Sequence, residues 1–200
     1  MEPNYTYTPS PAFINSLTFA YVETYSFQRG ASYEQQQKAY LQTYEQLKSQ
    51  KLKGNDLTMD EEAAFTQLDK LCGFTQYLID NNNQFHYSSK KTNTFIATDP
   101  KVALLKTILN TEVKEVLPLL CAPMYRDAFV FYDTSKHIVA VLNVCLSCLY
   151  METSMFNYIK ADYKTYDLLK RLFIDIGHDV ENPTYFFGED IERKANKTKL

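Results

Sequence analysis

Two hundred residues and 23.3 kDa suit one domain with short appendages rather than two independent cores. With 45% hydrophobic and 22% charged residues the chain can bury a core, and five Gly with seven Pro exclude collagen-like or linker-like material. Twenty-one basic against twenty-four acidic residues, a net charge of -3, leave no global electrostatic footprint for nucleic acid.

Met1 to Tyr5 lacks the basic n-region and apolar h-region of a secretory signal, so the chain as written is expected in the cytoplasm. Removal of a leader would instead make it an exported protein. Three prolines and alternating Tyr and Thr mark residues 1–11 as an extended arm. From Phe13 to Phe27 recurrent apolar residues suit a short helix, although the period does not separate it from a strand.

Ser32-x-x-Gln35 reads as a capping box opening a helix with Tyr33, Tyr40, Leu41, Tyr44, Leu47 and Leu52 near helical spacing, stopped by Lys53-Gly54-Asn55. A second box, Thr58-x-x-Glu61, opens a stripe of Ala64, Phe65, Leu68, Leu71, Cys72, Leu78 and Ile79. These two read as an antiparallel helical hairpin. A short strand over Thr94 to Ala97 follows, then a helix started by Asp99-Pro100 and carrying Val102, Leu105, Ile108 and Leu109.

The chain is expected to change direction over Pro118 to Pro123. Asp127 to Asp133 and Ile138 to Leu146 are β-branched and aromatic runs around Thr134-Ser135-Lys136-His137, a hairpin whose faces are both apolar. Helices should therefore cover its sheet on both sides. The second run is also the longest apolar stretch; broken by Asn143, it falls far short of the roughly 20 residues a membrane span needs. A last helix starts near Asp162 with Tyr163, Tyr166, Leu169, Phe173 and Ile176 on one face, and Gly177 sits at a natural C-cap position. Residues 1–188 thus form one domain and 189–200 a charged flexible tail.

Cysteine placement is the feature with chemical content. If Asp133 faces Ile138, antiparallel partners sum to about 271, which puts Cys145 near Arg126 and Cys148 near Pro123, two residues from Cys121. Cys121, Cys145 and Cys148 then share one rim of the hairpin. They could ligate zinc, yet a structural site needs four ligands. His137 lies about eight residues, roughly 25 Å, from the sulfurs, whereas His178 could reach if the last helix runs back over the sheet.

The same cysteines could instead form a disulfide or an exchange pair, but a thioredoxin-like motif needs a helix N-terminus to lower the thiol pKa, and no N-cap precedes Cys145-Leu-Ser-Cys148. The simplest reading makes Cys145, Cys148 and Cys72 buried hydrophobes. No Gly-rich phosphate loop, Gly-x-Ser-x-Gly elbow or His-Glu-x-x-His helix occurs, and His86 reads as a loop residue. No catalytic or cofactor-binding residue is therefore assigned. Sixteen Tyr and thirteen Phe against no Trp favour a partner-binding face, with Tyr5, Tyr7, Tyr25, Tyr33 and Tyr185 as candidates.

The segment from Cys121-Ala-Pro123 through Arg126-Asp127 and the Phe-Val-Phe-Tyr strand to Cys145-Leu-Ser-Cys148 resembles a family of small bacterial proteins. In that family a Cys-Pro-Arg turn, an apolar strand, a Cys-x-x-Cys strand end and a Leu-rich helix with Gly recur. The resemblance covers Leu119 to His178 and implies the hairpin and the cysteine cluster. Many such proteins look exported, which implies a disulfide. The chain departs from the pattern in spacing Pro123 from Arg126 and in carrying Asp127 where the family has His.

The expected fold is therefore α+β: an N-terminal helical hairpin and a small antiparallel sheet built on the 127–146 hairpin and covered by helices. The expected function is that of a protein-interaction module without catalysis, an inhibitor or immunity-type partner of another protein, with no nucleic acid and no membrane involved. The alternative is a thiol-based redox or metal-binding protein using Cys121, Cys145 and Cys148, with zinc as its metal.

Overall fold

The computed structural model describes residues 5–73, 75–116 and 121–197. The first half of the expected reversal, residues 118–120, the first four residues of the arm and the last three of the tail lie outside them. The described residues form an α+β fold with a seven-stranded mixed sheet ordered β1-β7-β6-β5-β4-β2-β3. The strands are β1 (Thr6–Pro9), β2 (Tyr21–Ser26), β3 (Lys90–Ile96), β4 (Asp127–Tyr132), β5 (Ile138–Cys145), β6 (Tyr150–Ser154) and β7 (Asn157–Lys160). The helices are α1 (Ser10–Ser16), α2 (Ala31–Leu52), α3 (Met59–Gly73), α4 (Pro100–Leu109), α5 (Tyr163–Asp175) and α6 (Phe187–Lys197).

The central hairpin has the expected register from Asp127 opposite Val144 to Phe131 opposite Ala140, partner numbers that sum to 271, but the expected pair of Asp133 with Ile138 does not form. A one-residue irregularity then sets Tyr132 opposite Ile138. All six residues of β4 are buried because each face has its own cover. On one side Phe129 and Phe131 meet α1, α4 and α5 through Phe13, Leu105 and Leu169. On the other, Ala128, Val130 and Tyr132 meet Tyr25, Leu78 and Cys145. The second cover includes the irregular 77–79 segment, not the helical layer expected on both sides.

Several further expectations change. The sheet is not purely antiparallel, because β1 pairs parallel with β7. Within the expected extended arm, Thr6–Pro9 is a strand held at the sheet edge: Tyr7 stacks on Tyr158 with ring centroids 5.4 Å apart, and Thr6 Oγ1 donates to Asn157 Oδ1 at 2.5 Å. The single helix expected over Phe13 to Phe27 divides into α1 and β2. Because β1, α1 and β2 precede them, α2 and α3 are not the N-terminal unit. Their expected stripes are barely used, since only Leu47 of α2 and Leu68 of α3 are buried. Cys72, expected in the core, is half-buried. Glu189 to Lys197, expected as a charged flexible tail, is helical as part of α6, and Glu189 pairs with Arg171 of α5.

Local signals act as their chemistry requires at three helix starts. Glu61 accepts from the Thr58 amide (2.8 Å) while its own amide donates to Thr58 Oγ1 (3.3 Å). Asp99 accepts from the Lys101 amide at 2.7 Å and Asp162 from the Lys164 amide at 3.0 Å. Ser32 does not cap: Gly30 holds the N-cap position of α2 and its carbonyl accepts from the Glu34 amide at 3.0 Å.

Candidate functional site

The open end of the β4–β5 hairpin carries the cysteines. Cys121 and Cys148 are joined in a disulfide with Cα atoms 6.2 Å apart. Cys121 is exposed, whereas Cys148 is 8% exposed. Cys145 is a free buried thiol in the same apolar cluster as Cys148, its Sγ 3.4 Å from Ser147 Oγ. A disulfide removes two of the three thiolates a metal site would use in this state. Among the described residues no group of three His, Cys, Asp or Glu side chains is placed to hold a metal ion.

His178 does run back over the sheet, but it meets a carboxylate and not the sulfurs. Gly177 adopts φ +85°, where a side chain is strained, and ends α5 with paired closing bonds. Its amide donates to the Ile174 carbonyl (3.0 Å), and the His178 amide donates to the Phe173 carbonyl (2.8 Å). This folds the imidazole against the Phe173 ring, centroids 4.9 Å apart, and aims Nδ1 at Asp127 Oδ1, 2.7 Å away. An ionised carboxylate only accepts, so the nitrogen facing it carries the proton. Arg29, between β2 and α2, completes the arrangement, with Nη1 donating to Oδ1 at 3.0 Å and Nη2 to Oδ2 at 2.8 Å.

On its other side His178 Nε2 hydrogen-bonds to the Thr92 hydroxyl at 2.7 Å, and Thr92 bonds to the Thr24 carbonyl (2.9 Å) and hydroxyl (2.6 Å). Asp127, His178 and Thr92 therefore stand in the order of a catalytic triad. The His178 side chain has no exposed surface, and neither it nor Thr92 lines the neighbouring cleft, whereas Asp127 and Arg29 do. The cluster ties β2, β3, β4 and the end of α5 together.

That cleft, of about 200 Å³, opens between the cysteine rim and the 180–187 segment. Met124, Arg126, Ser147 and Leu149 form one wall, and Tyr166 and Lys170 stand in the other. Its charges are already engaged. Arg126 pairs with Glu181, and Lys170 Nζ donates to the carbonyls of Asn182 and Tyr185, each at 2.8 Å. Asp167 accepts from the amides of Phe187 (3.0 Å) and Gly188 (2.8 Å) at the start of α6. Burial raises the Asp167 carboxyl above its ordinary range and lowers the Lys170 ammonium. Such a cleft suits an uncharged side chain better than an anion.

The second surface is the arm formed by α2 and α3. Its helices meet through a Tyr44–Asp69 hydrogen bond (2.7 Å), a Tyr44–Phe65 stack (5.4 Å) and a Lys51–Glu62 ion pair (2.9 Å). Its root is an aromatic group in which His86 faces Phe27, Tyr33 and Tyr87 at centroid distances of 5.6, 6.3 and 4.5 Å. Burial holds His86 down at about 4, so the ring is neutral there. Leu41, Leu52 and Met59 are uncovered, the last two at 81% and 89% exposure.

Of the aromatic candidates, Tyr5, Tyr7 and Tyr185 are exposed, Tyr33 is half-buried and Tyr25 is buried. Tyr25 donates to Glu23 at 2.7 Å, and burial with that bond raises its phenol far above the ordinary value. His137 sits in the turn, 3.4 Å from Asp133, away from the rim. Sequence reasoning missed the pairing of Asp127 with Arg29 and His178. Its one signal was an acidic residue opening a fully apolar strand. The chain matches no protein-family model, and no curated protein or solved structure matches it. The functional reading therefore rests on this chain's own geometry.

Proposed function

We propose that this chain is a protein-interaction module of the inhibitor or immunity type, without catalysis, working in the cytoplasm, and that the α2–α3 arm is its docking element. One contrast carries the reading. The thirteen residues of α5 bury seven side chains, whereas the twenty-two of α2 and fifteen of α3 bury one each. Helical stability in proteins comes mainly from packing an apolar face rather than from propensity. A long arm that leaves Leu41, Leu52 and Met59 in water is explained by a partner that covers them.

The test is site-specific photo-crosslinking in cells of the source, with the probe at position 41, 52 or 59, and at Met155 as an exposed control. A single protein adduct of one mass from the arm positions and none from Met155 is expected. Arm positions that give no adduct, or the same ladder as the control, would refute the reading.

A further inference from the structure

We propose that the Cys121–Cys148 bond is a site of thiol exchange with a soluble dithiol, Cys121 being the sulfur attacked and Cys148 the leaving thiolate, and that exchange there opens the neighbouring cleft. Exposure chooses the sulfur: Cys121 is open to solvent, while Cys148 and Cys145 are buried at 8% and 1%. The bond is also redundant for the sheet. β4 and β5 are already paired along their length and packed on both faces, so cleavage leaves the hairpin in place.

What the bond restrains is the cleft wall. Met124 and Arg126 follow Cys121, Leu146 and Ser147 precede Cys148, Leu149 follows it, and all five line the cleft. Leu149 lies in the turn between β5 and β6 and is held at φ +53°, a left-handed conformation uncommon for a leucine, directly beside Cys148. In the cytoplasm, where the proposed function places the chain, protein disulfides are transient and redox-sensing. The exchange itself needs only the disulfide and does not depend on the arm.

The chemistry balances. One thiolate of the dithiol bonds to Cys121 Sγ, the S–S bond breaks, and Cys148 leaves as a thiolate that takes up a proton. The second thiol, as its thiolate, attacks the dithiol sulfur of the mixed disulfide and displaces Cys121, which is protonated in turn. Two electrons pass from the dithiol, which ends as a disulfide, to the protein, which ends with two thiols.

The experiment uses the full chain in native buffer with dithiothreitol as the probe, followed by alkylation mapping and amide exchange. Reduction without denaturant is expected, and amides over 122–126 and 146–150 should then exchange about tenfold faster while 128–132 and 139–144 stay protected. Oxidised glutathione should add to Cys121 in Cys148→Ser at least about tenfold faster than to Cys148 in Cys121→Ser. Should either variant misfold, alkylation rates of the two thiols in the reduced natural chain make the same comparison. Four results would overturn the proposal: reduction only in denaturant, equal rates at the two sulfurs, exchange rising through both strands, or a chain that never pairs these cysteines in a glutathione redox buffer.

Discussion

Replacing Asp127 by Asn tests the claim that one buried carboxylate organises the region between the sheet and α5. Its side chain is 2% exposed, and it accepts from two nitrogens of Arg29, itself 15% exposed, and from His178. Bonds to charged groups contribute about 1.5–3 kcal/mol each, and stranding a buried partner costs about 3–5 kcal/mol. Asn keeps one acceptor but turns an amide N–H₂ towards the guanidinium or the imidazole. The expected loss is therefore about 3–5 kcal/mol, a fall of about 2 M in the urea midpoint at a typical slope. Arg29→Met should cost about 3 kcal/mol by leaving the carboxylate with His178 alone. The double variant should be about 2 kcal/mol less costly than the sum, because each change removes the charge that the other strands. Urea unfolding monitored by tyrosine fluorescence and far-ultraviolet dichroism reads all three. An Asp127→Asn chain within about 1 kcal/mol of the parent, or strict additivity, would refute the hub.

Three further outcomes follow from the same geometry. A Cβ at Gly188 would lie 2.7 Å from Asp167 Oδ2 and 2.9 Å from the Tyr163 ring, so Gly188→Ala should cost about 1–3 kcal/mol and loosen α6 first, read by amide exchange over 187–197. Gly177→Ala meets no neighbour but inherits φ +85°; a cost of about 1–2 kcal/mol and weakened protection of the His178 amide are expected. His86 is held neutral with its pKa lowered from 6.5 to about 4, so the unfolded chain takes up its proton first. That contribution is whole above pH 6.5 and is lost as pH falls towards 4; for a half-buried ring it is on the order of 1 kcal/mol. His86→Phe should flatten this part of the pH–stability curve measured by thermal melts, and an unchanged curve would show that the ring titrates alike in both states.

Much of the molecule was legible where the cause is local. A side-chain oxygen at Thr58, Asp99 or Asp162 caps the helix that begins beside it, whatever lies elsewhere in the chain. The hairpin is local too: two adjacent apolar runs fold back on each other, and although the expected Asp133–Ile138 pair does not form, a one-residue irregularity beside the turn restores partners summing to 271 and Cys148 comes to the side of Cys121. Ser32 shows the limit of such reading: the spacing of a capping box was present, but the chain enters α2 at Gly30, so the hydroxyl has no free amide to serve.

The remainder was decided by partners distant in sequence. Thr6–Pro9 is a strand only because Asn157–Lys160 offers an edge about 150 positions away, and no periodicity within four residues records that edge. Whether α2 and α3 lie on the sheet or stand away from it depends on what already covers that face, which the irregular 77–79 segment helps to fill. Asp127 likewise acquires Arg29 and His178 from segments 98 and 51 positions away. Caps and turns are set by neighbours in the chain, whereas a strand edge, a covered face and a buried ion pair exist only once separate segments have met. Their chemistry belongs to the assembled core rather than to any stretch of the sequence.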